Sequence, residues 1–595
     1  MTEQAANGLP AATNGRNHSL RSAQWFAGHD LAGFIHRAAI HAEGISRAAL
    51  SGRPVVGICN SWSELVNCNL HFRQLADAVK RGILLGGGLP LEFPTISLGE
   101  NLMKPTTMLY RNLMAMDVEE SIRSYPLDSI VLLGGCDKTV PAQLMGATSA
   151  NVPAIMLTGG PSEPAWFQGR PLGAGTDLWH YADELRAGRM TQAAFDELEA
   201  AATPSVGHCN EMGTASSMTA VAEALGMTLP ATASIPAVDA ARYRAAEATG
   251  ARAVQLAREG VRPTDILTAR NFDNAIRLLM ALGGGTNVVI HLLAIAGRAG
   301  VPLTLDRFDE LSSETPVLAN VRPTGEYLVE DLHRAGGIPA VLKTLEPLLH
   351  LDTPTVTGRT LAEEIGQSSV HDHTVIRPLS DPINPEGGIS VLRGTLAPRG
   401  AIIKRSAAST SLQRHRGRAL VFENIYDVQA RIDDPALDVD ADSVLVLRNS
   451  GPKGGPGMPE WGQLPIPAKL LAEGVTDMVR ISDARMSGTA YGTVVLHVTP
   501  ESAAGGPLAI VENGDPIVLD VPNRRLDLEI PPEEIKRRFE RLQPAARHYR
   551  RGYGSLYLDH VLQADEGCDF DFLRSRDEQA DTLPLGLLHG WVGGW

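Results

Sequence analysis

The hydrophobic rhythm of this chain changes once, and that change limits the folds open to it. Up to about Asp381-Pro-Ile-Asn-Pro-Glu-Gly-Gly388, short apolar runs alternate with amphipathic stretches of helical length. Pro54-Val-Val-Gly-Ile58, Ser129-Ile-Val-Leu-Leu133 and Ala154-Ile-Met-Leu157 read as buried strands. Residues 69–85 read as a helix with Phe72, Leu75, Val79 and Ile83 on one face, ended by Gly86-Gly87-Gly88. A helix with Pro141 in its first turn follows Cys136, and residues 214–227, 271–282 and 288–296 read as further helices. This alternation predicts an α/β domain with largely parallel sheets, whose ligands sit beyond the carboxyl ends of strands. Past the change, short strands dominate: 389–392, 419–422, 444–447, 478–481, 493–498, 516–521 and 526–530, with a late helix over about 531–542. Their spacing predicts a β-barrel or sandwich domain. A chain of 595 residues exceeds a single core. The expected division is a flexible arm over 1–20, an α/β domain over 21–383 and a β-barrel-like domain over 384–595.

The formal net charge is −15. This argues against a nucleic-acid partner, which needs a basic patch. It leaves room for an anionic small molecule, because a metal ion or a nest of backbone N–H groups can reverse the local potential. No apolar run reaches membrane-spanning length, and residues 1–19 lack a basic-then-apolar signal pattern. The expectation is a cytoplasmic protein without membrane contact. Five cysteines form an odd set spread over a long chain, which points away from a disulfide framework.

Three of those cysteines lie in similar surroundings: Asn67-Cys68-Asn69, Gly135-Cys136-Asp137-Lys138 and Gly207-His208-Cys209-Asn210. Glycine and asparagine let backbone turn sharply around a bulky group. Thiolates ligate iron–sulfur clusters, and three of them leave one iron position open. Each cysteine alone reads rather as a small buried hydrophobe, and none has CxxC spacing. A second, oxygen-rich set is Glu100, Asp137 and Glu460, each near glycine; hard cations favour such carboxylates, though loop acids are usually just solvated. Lys138 reads by default as an ion-pair partner. Ser487, in Ser482-Asp-Ala-Arg-Met-Ser-Gly-Thr489, is a candidate nucleophile or base or an ordinary turn hydroxyl, and Thr489 a candidate substrate-binding group. His208 reads as a hydrogen-bonding structural histidine. Gly283-Gly-Gly-Thr-Asn287 matches no phosphate-binding fingerprint and reads as a helix cap.

Together these segments resemble the dihydroxy-acid dehydratase and 6-phosphogluconate dehydratase family. The resemblance runs from Arg21-Ser-Ala-Gln-Trp25 to about Ile530. It rests on Gly57-Ile-Cys-Asn-Ser-Trp62 with Cys68-Asn69, Gly135-Cys-Asp-Lys138, Gly207-His-Cys209 with Met212-Gly-Thr-Ala215, Gly284-Gly-Thr-Asn287, and Asp483 to Gly488. It implies that Cys68, Cys136 and Cys209 bind the cluster, a 2Fe–2S type by likeness to the arabinonate branch, with 4Fe–4S the alternative. It implies that Glu100, Asp137, Glu460 and a carbamylated Lys138 hold Mg²⁺, and that Ser487 is the base. Cys59 and Cys568 match no ligand position and are expected to be structural. The reaction implied is β-elimination of water. Branched-chain members usually carry Ser-Asp-Gly-Ile and then His-Glu-Gly-Met. This chain has Ser97-Leu-Gly-Glu100 and then Asn101-Leu-Met-Lys-Pro-Thr-Thr107, similar to the pentonate and hexonate dehydratases. The expected substrate is therefore a sugar acid such as L-arabinonate, D-xylonate or D-gluconate. The alternatives are branched-chain dihydroxy-acid dehydration and a non-catalytic iron–sulfur redox sensor. A homodimer or homotetramer is the assembly implied.

Overall fold

The computed structural model describes residues 19–574. All but the last two residues of the expected N-terminal arm lie outside that range. The first domain is built on a four-stranded sheet of β1 (Val55–Asn60), β2 (Leu89–Pro94), β3 (Ser129–Gly134) and β4 (Ala154–Thr158). Its spatial order is β2-β1-β3-β4, and every pairing is parallel. β1, β3 and β4 are buried along their whole length, which explains their continuous apolar runs.

Helices cover the sheet: α1 (Phe72–Leu85), α2 (Thr107–Ser124), α3 (Thr139–Ala150), α4 (Thr214–Ala224), α5 (Ala240–Glu259), α6 (Ala269–Ala281) and α7 (Asn287–Ala299). α1 begins three residues later than its periodicity suggests. Asn67–Asn69 form a separate 3-10 turn, held by Asn69 Nδ2 donating to Ser61 O and Ser97 Oγ, both at 3.0 Å. α1 and α5 touch backbone to backbone: a Cβ on Gly82 would overlap the Glu247 carbonyl, and one on Gly250 the Val79 carbonyl. Phe72, Leu75, Val79 and Ile83 are all fully buried on the predicted face. Each such side chain contributes roughly 1.5–3 kcal/mol relative to exposure.

The second domain is an eight-stranded mixed sheet: β5 (Ser390–Leu392), β6 (Gly400–Ile403), β7 (Arg414–Phe422), β8 (Val444–Leu447), β9 (Arg480–Ser482), β10 (Val494–Thr499), β11 (Pro516–Asp520) and β12 (Arg525–Leu528). The order is β12-β11-β7-β8-β9-β10-β6-β5. Its edges nearly close: Arg393, just past β5, bridges to Arg525 of β12, and Leu526 N donates to Arg393 O at 2.9 Å. The barrel-like expectation therefore holds. Val421, Val444, Val446, Ile481, Val495 and Leu519 fill the barrel, while the alternating Leu420, Phe422, Leu445 and Leu447 pack on its outer side. β7 is longer than its apolar signal because its charged first half still pairs with β11. The late helix, Pro532–Arg541, forms as expected. No helix among the described residues is long and apolar enough to cross a membrane.

Candidate active site between the two domains

β1 and β3 are neighbours and run parallel, so the loops that follow them share one end of the sheet. Cys68 follows β1 and Cys136 follows β3. Thr139 shapes the second loop: its Oγ1 accepts from the N–H groups of Gly135 (3.1 Å) and Cys136 (2.9 Å) and donates to Cys136 O (2.8 Å). Gly135 has no room for a side chain, since a Cβ would sit 2.8 Å from Asn69 Oδ1 and 2.9 Å from Cys68 O. Cys209 arrives on the loop before α4. Gly207 turns there with φ +118°, a backbone state that glycine adopts readily.

Cys68 and Cys136 pack together with Val66, and Cys209 is half-buried. The Cys68 thiol is pushed well above the usual range by its hydrogen bond to Cys136, then by burial and by the charges of Cys136, Cys209 and Asp137. Burial first, then neighbouring acids, does the same to Cys209. Two thiols whose ionised state is disfavoured, Cys68 and Cys209, suit a cationic group that would neutralise them. Cys59 and Cys568 are buried elsewhere, against Gln143 and Met458 respectively.

Lys138 is fully buried at the centre of three carboxylates. Its Nζ lies 3.1 Å from Asp137, 3.2 Å from Glu100 and 3.3 Å from Glu460. Burial and the Arg485 charge pull its pKa down, but the three carboxylates outweigh them and hold it above the ordinary lysine value. Burial would raise Glu100, yet Lys138, Arg485 and the hydroxyls of Thr107 and Thr106 bring it down to about 2. Among the described residues no three His, Cys, Asp or Glu side chains are spaced to hold a metal as they stand. The ammonium occupies the point where the carboxylates converge. The three carboxylates are nevertheless the oxygen donors that a hard cation takes.

Two residues that the sequence reading passed over tie this cluster to the second domain. Arg485 is fully buried and donates to Glu460 Oε1 (3.0 Å), Thr106 Oγ1 (3.0 Å) and Met458 O (2.7 Å). Asn287 Nδ2 donates to Thr214 Oγ1 (2.9 Å), Glu460 Oε1 (3.0 Å) and Met486 O (3.2 Å). The glycine run before it is thus more than the helix cap expected: Thr286 makes no side-chain capping bond, and Asn287 clamps the two domains. His208 makes a hydrogen bond, as expected, with Nδ1 near Cys209 O at 3.0 Å.

Ser487 Oγ lies 2.9 Å from Thr489 Oγ1 in the turn after β9. The first turns of α4 and α7 meet there: a Cβ on Gly488 would overlap Thr214 N, and Gly285 lies alongside. Helix N-termini carry partial positive charge, so the serine sits in a field that favours an oxyanion. An open cleft of about 360 Å³ adjoins the turn, lined by Thr176, His180, Asp183 and Tyr491 among others.

The family profile described as "Dihydroxy-acid/6-phosphogluconate dehydratase N-terminal" matches residues 53–364, and the profile for the C-terminal domain matches 374–568. The chain belongs to this family. It is therefore a dehydratase, a hydro-lyase of carbon–oxygen bonds. The dehydratase is 52% identical to the L-arabonate dehydratase of Azospirillum brasilense, over 93% of this chain and 97% of the relative. It is 50% identical to the L-arabinonate dehydratase of Rhizobium leguminosarum bv. trifolii, over 93% and 96%. It is 48% identical to the 6-deoxy-6-sulfo-D-gluconate dehydratase of Pseudomonas putida, over 96% and 98%.

Proposed function

We propose that this dehydratase removes water from an aldonate, of the L-arabinonate, D-xylonate or D-gluconate kind, and yields the 2-keto-3-deoxy acid. The observation that carries the reading is Lys138 amid Glu100, Asp137 and Glu460, one residue from Asp137 and two from Cys136. One strand-end loop thus serves an oxygen-rich and a sulfur-rich centre. Cys68, Cys136 and Cys209 would hold an iron–sulfur cluster, of the 2Fe–2S type in this reading. Glu100, Asp137, Glu460 and a carbamylated Lys138 would hold Mg²⁺. When bound, these groups supply Lewis acidity toward the acid and its hydroxyls.

The chain's own residues do the rest. Ser487 takes the C2 proton, and Thr489 orients the serine through the 2.9 Å hydroxyl contact. The C2–H electrons form the C2=C3 bond, the C3–O bond breaks, and the departing hydroxide leaves as water with the equivalent of the proton that Ser487 took, which restores the base. The enol then tautomerises to the ketone. A serine hydroxyl is a weak acid, so its ionised form needs the concentrated positive field described above. The open cleft beside Thr176 offers His180, Asp183 and Tyr491 to the distal hydroxyls of a sugar chain. Hydrogen-bonding side chains at these three positions suit a polyol better than the aliphatic tail of a branched-chain dihydroxy acid.

Enzyme prepared anaerobically with Mg²⁺ is to be assayed for 2-keto acid formation from L-arabinonate, D-xylonate, D-gluconate, 6-deoxy-6-sulfo-D-gluconate and 2,3-dihydroxyisovalerate. Turnover of one or more of the four sugar acids is expected. Turnover of the last acid alone would replace this reading with the branched-chain one. A brown protein that dehydrates none of the five would favour a redox role.

A further inference from the structure

All four carbonyls of the turn from Met486 to Thr489 are occupied. Asn287 donates to Met486 O at 3.2 Å, Lys404 to Gly488 O at 3.3 Å, and Thr176 Oγ1 to Thr489 O at 2.8 Å. Ser487 O accepts from the Ala490 N–H at 3.1 Å. What approaches the serine hydroxyl is Thr489, with its own hydroxyl at 2.9 Å and its N–H at 3.4 Å.

Lys404 is the unexpected member of this set. It follows β6, is fully buried, and makes no ion pair among the described residues. A buried ammonium without a carboxylate at contact is destabilising. Burial draws its pKa down to about 7, opposed by the charge of Glu211 from the loop before α4. On the other side of the turn, the charged neighbour along the chain is Arg485, committed to Glu460. Lys404 has no exposed surface and so does not line the substrate space. A group kept at a stability cost points to function.

One peptide group connects this lysine to the base. The C=O of the Gly488–Thr489 peptide accepts from Lys404, and the N–H of the same peptide donates to Ser487 Oγ. A positive donor at the carbonyl end polarises the peptide and strengthens the N–H at the other end. We propose that Lys404 is a positioning residue for Ser487, aiming and polarising the Thr489 N–H so that the serine oxyanion is stabilised. This rests on the reading of Ser487 as the base that takes the C2 proton.

The test compares Lys404→Met with Lys404→Gln in the cluster-loaded enzyme. Gln keeps an N–H donor without the charge, and Met removes both. In both variants kcat is expected to fall about 10–100-fold, somewhat less than loss of a direct oxyanion donor. KM should stay within about threefold, because no substrate contact is removed. The isotope effect on a C2-deuterated substrate should rise as proton removal becomes slower. Near about pH 6 the amine is charged in both folded and unfolded chains, so the folded state bears its full burial cost. Lys404→Met should therefore melt no lower than the wild type there. Wild-type turnover by Lys404→Gln overturns the proposal, because a neutral hydrogen bond then suffices. A fall in melting temperature matching the activity loss also overturns it, because ordinary packing then explains both. If the wild type dehydrates no acid, the reading of Ser487 falls by itself. The melting comparison still decides whether Lys404 is held at a cost.

Discussion

Lys138 and Glu460 come from different domains, and their side chains meet with Nζ 3.3 Å from Oε1. Glu460 also receives Arg485 and Asn287 on that same oxygen, at 3.0 Å each. One carboxylate therefore gathers donors from the α/β domain and from the loops of the barrel domain. The candidate site is complete only when the two domains are docked.

Glu460→Gln tests that docking. It removes the charge and leaves one oxygen for three donors. Breaking a buried ion pair costs about 3–5 kcal/mol, which this partly exposed residue should approach from below. The expected result is a lower melting temperature, weaker Mg²⁺ dependence and a turnover loss of about 100-fold or more. Unchanged turnover would remove Glu460 from the proposed cation site.

Cys136→Ser tests the thiol centre. Cys136 lies against Cys68, so its loss should bleach the visible absorbance of the anaerobically purified protein. The far-ultraviolet circular dichroism should stay, since the loop is held by Thr139 and not by the thiol. A variant that keeps its colour and full iron content would defeat the cluster assignment.

Glu100 gives a pH dependence with a definite sign. Its pKa is lowered from 4.5 to about 2 in the folded chain, burial being outweighed by Lys138, Arg485 and two threonine hydroxyls. A depressed carboxylate contributes stability that is fully present above its unfolded pKa and lost as pH falls through the folded one. Metal-free wild type should exceed Glu100→Gln in urea stability above about pH 4.5, and the gap should close toward about pH 2. A gap that is constant across that window would contradict this account.

Gly488→Ala tests the crowding at Ser487, the proposed base. A Cβ there would overlap Thr214 N and the Gly213 carbonyl carbon lies 2.7 Å away, both backbone atoms with no rotamer to yield. Overpacking of this kind costs typically about 1–3 kcal/mol. The turn must shift, so kcat should collapse while the cluster absorbance remains. Full activity would show that the helix N-termini and the turn do not need this close contact.

Asn287→Ala removes an amide donor group shared by three acceptors. Glu460 Oε1 keeps Lys138 and Arg485, but Met486 O loses its donor, and leaving a buried acceptor unpaired costs about 1–3 kcal/mol. Melting temperature and kcat should both fall, and Asn287→Asp should not restore them, because a carboxylate would face Glu460. Rescue by Asp would mean that shape alone matters.

The sequence by itself determined the two domain classes and much of the local structure. Continuous apolar runs marked β1, β3 and β4, a 3.6-residue stripe marked α1, and close-spaced short strands marked the barrel. These signals are local, because burial on one or both faces writes its period directly into neighbouring residues. Five motif segments, taken together, identified the family. The spacing of Cys68, Cys136 and Cys209 carried little, and so did the acids taken singly. Tertiary structure decided their meeting. β1 and β3 are adjacent and parallel, so two cysteine loops emerge side by side, although 68 positions separate the thiols in the chain. Thr176 and Lys404 left no pattern at all, and Arg485 and Asn287, though inside motif segments, carried no sign of what they contact. Each acts through one or a few contacts to residues far away in sequence, and such contacts impose no period on the chain around them. Docking of the barrel domain against the ends of α4 and α7 brings Thr176 and Asn287 to the Ser487 turn, while the barrel's own strand order brings Lys404 there.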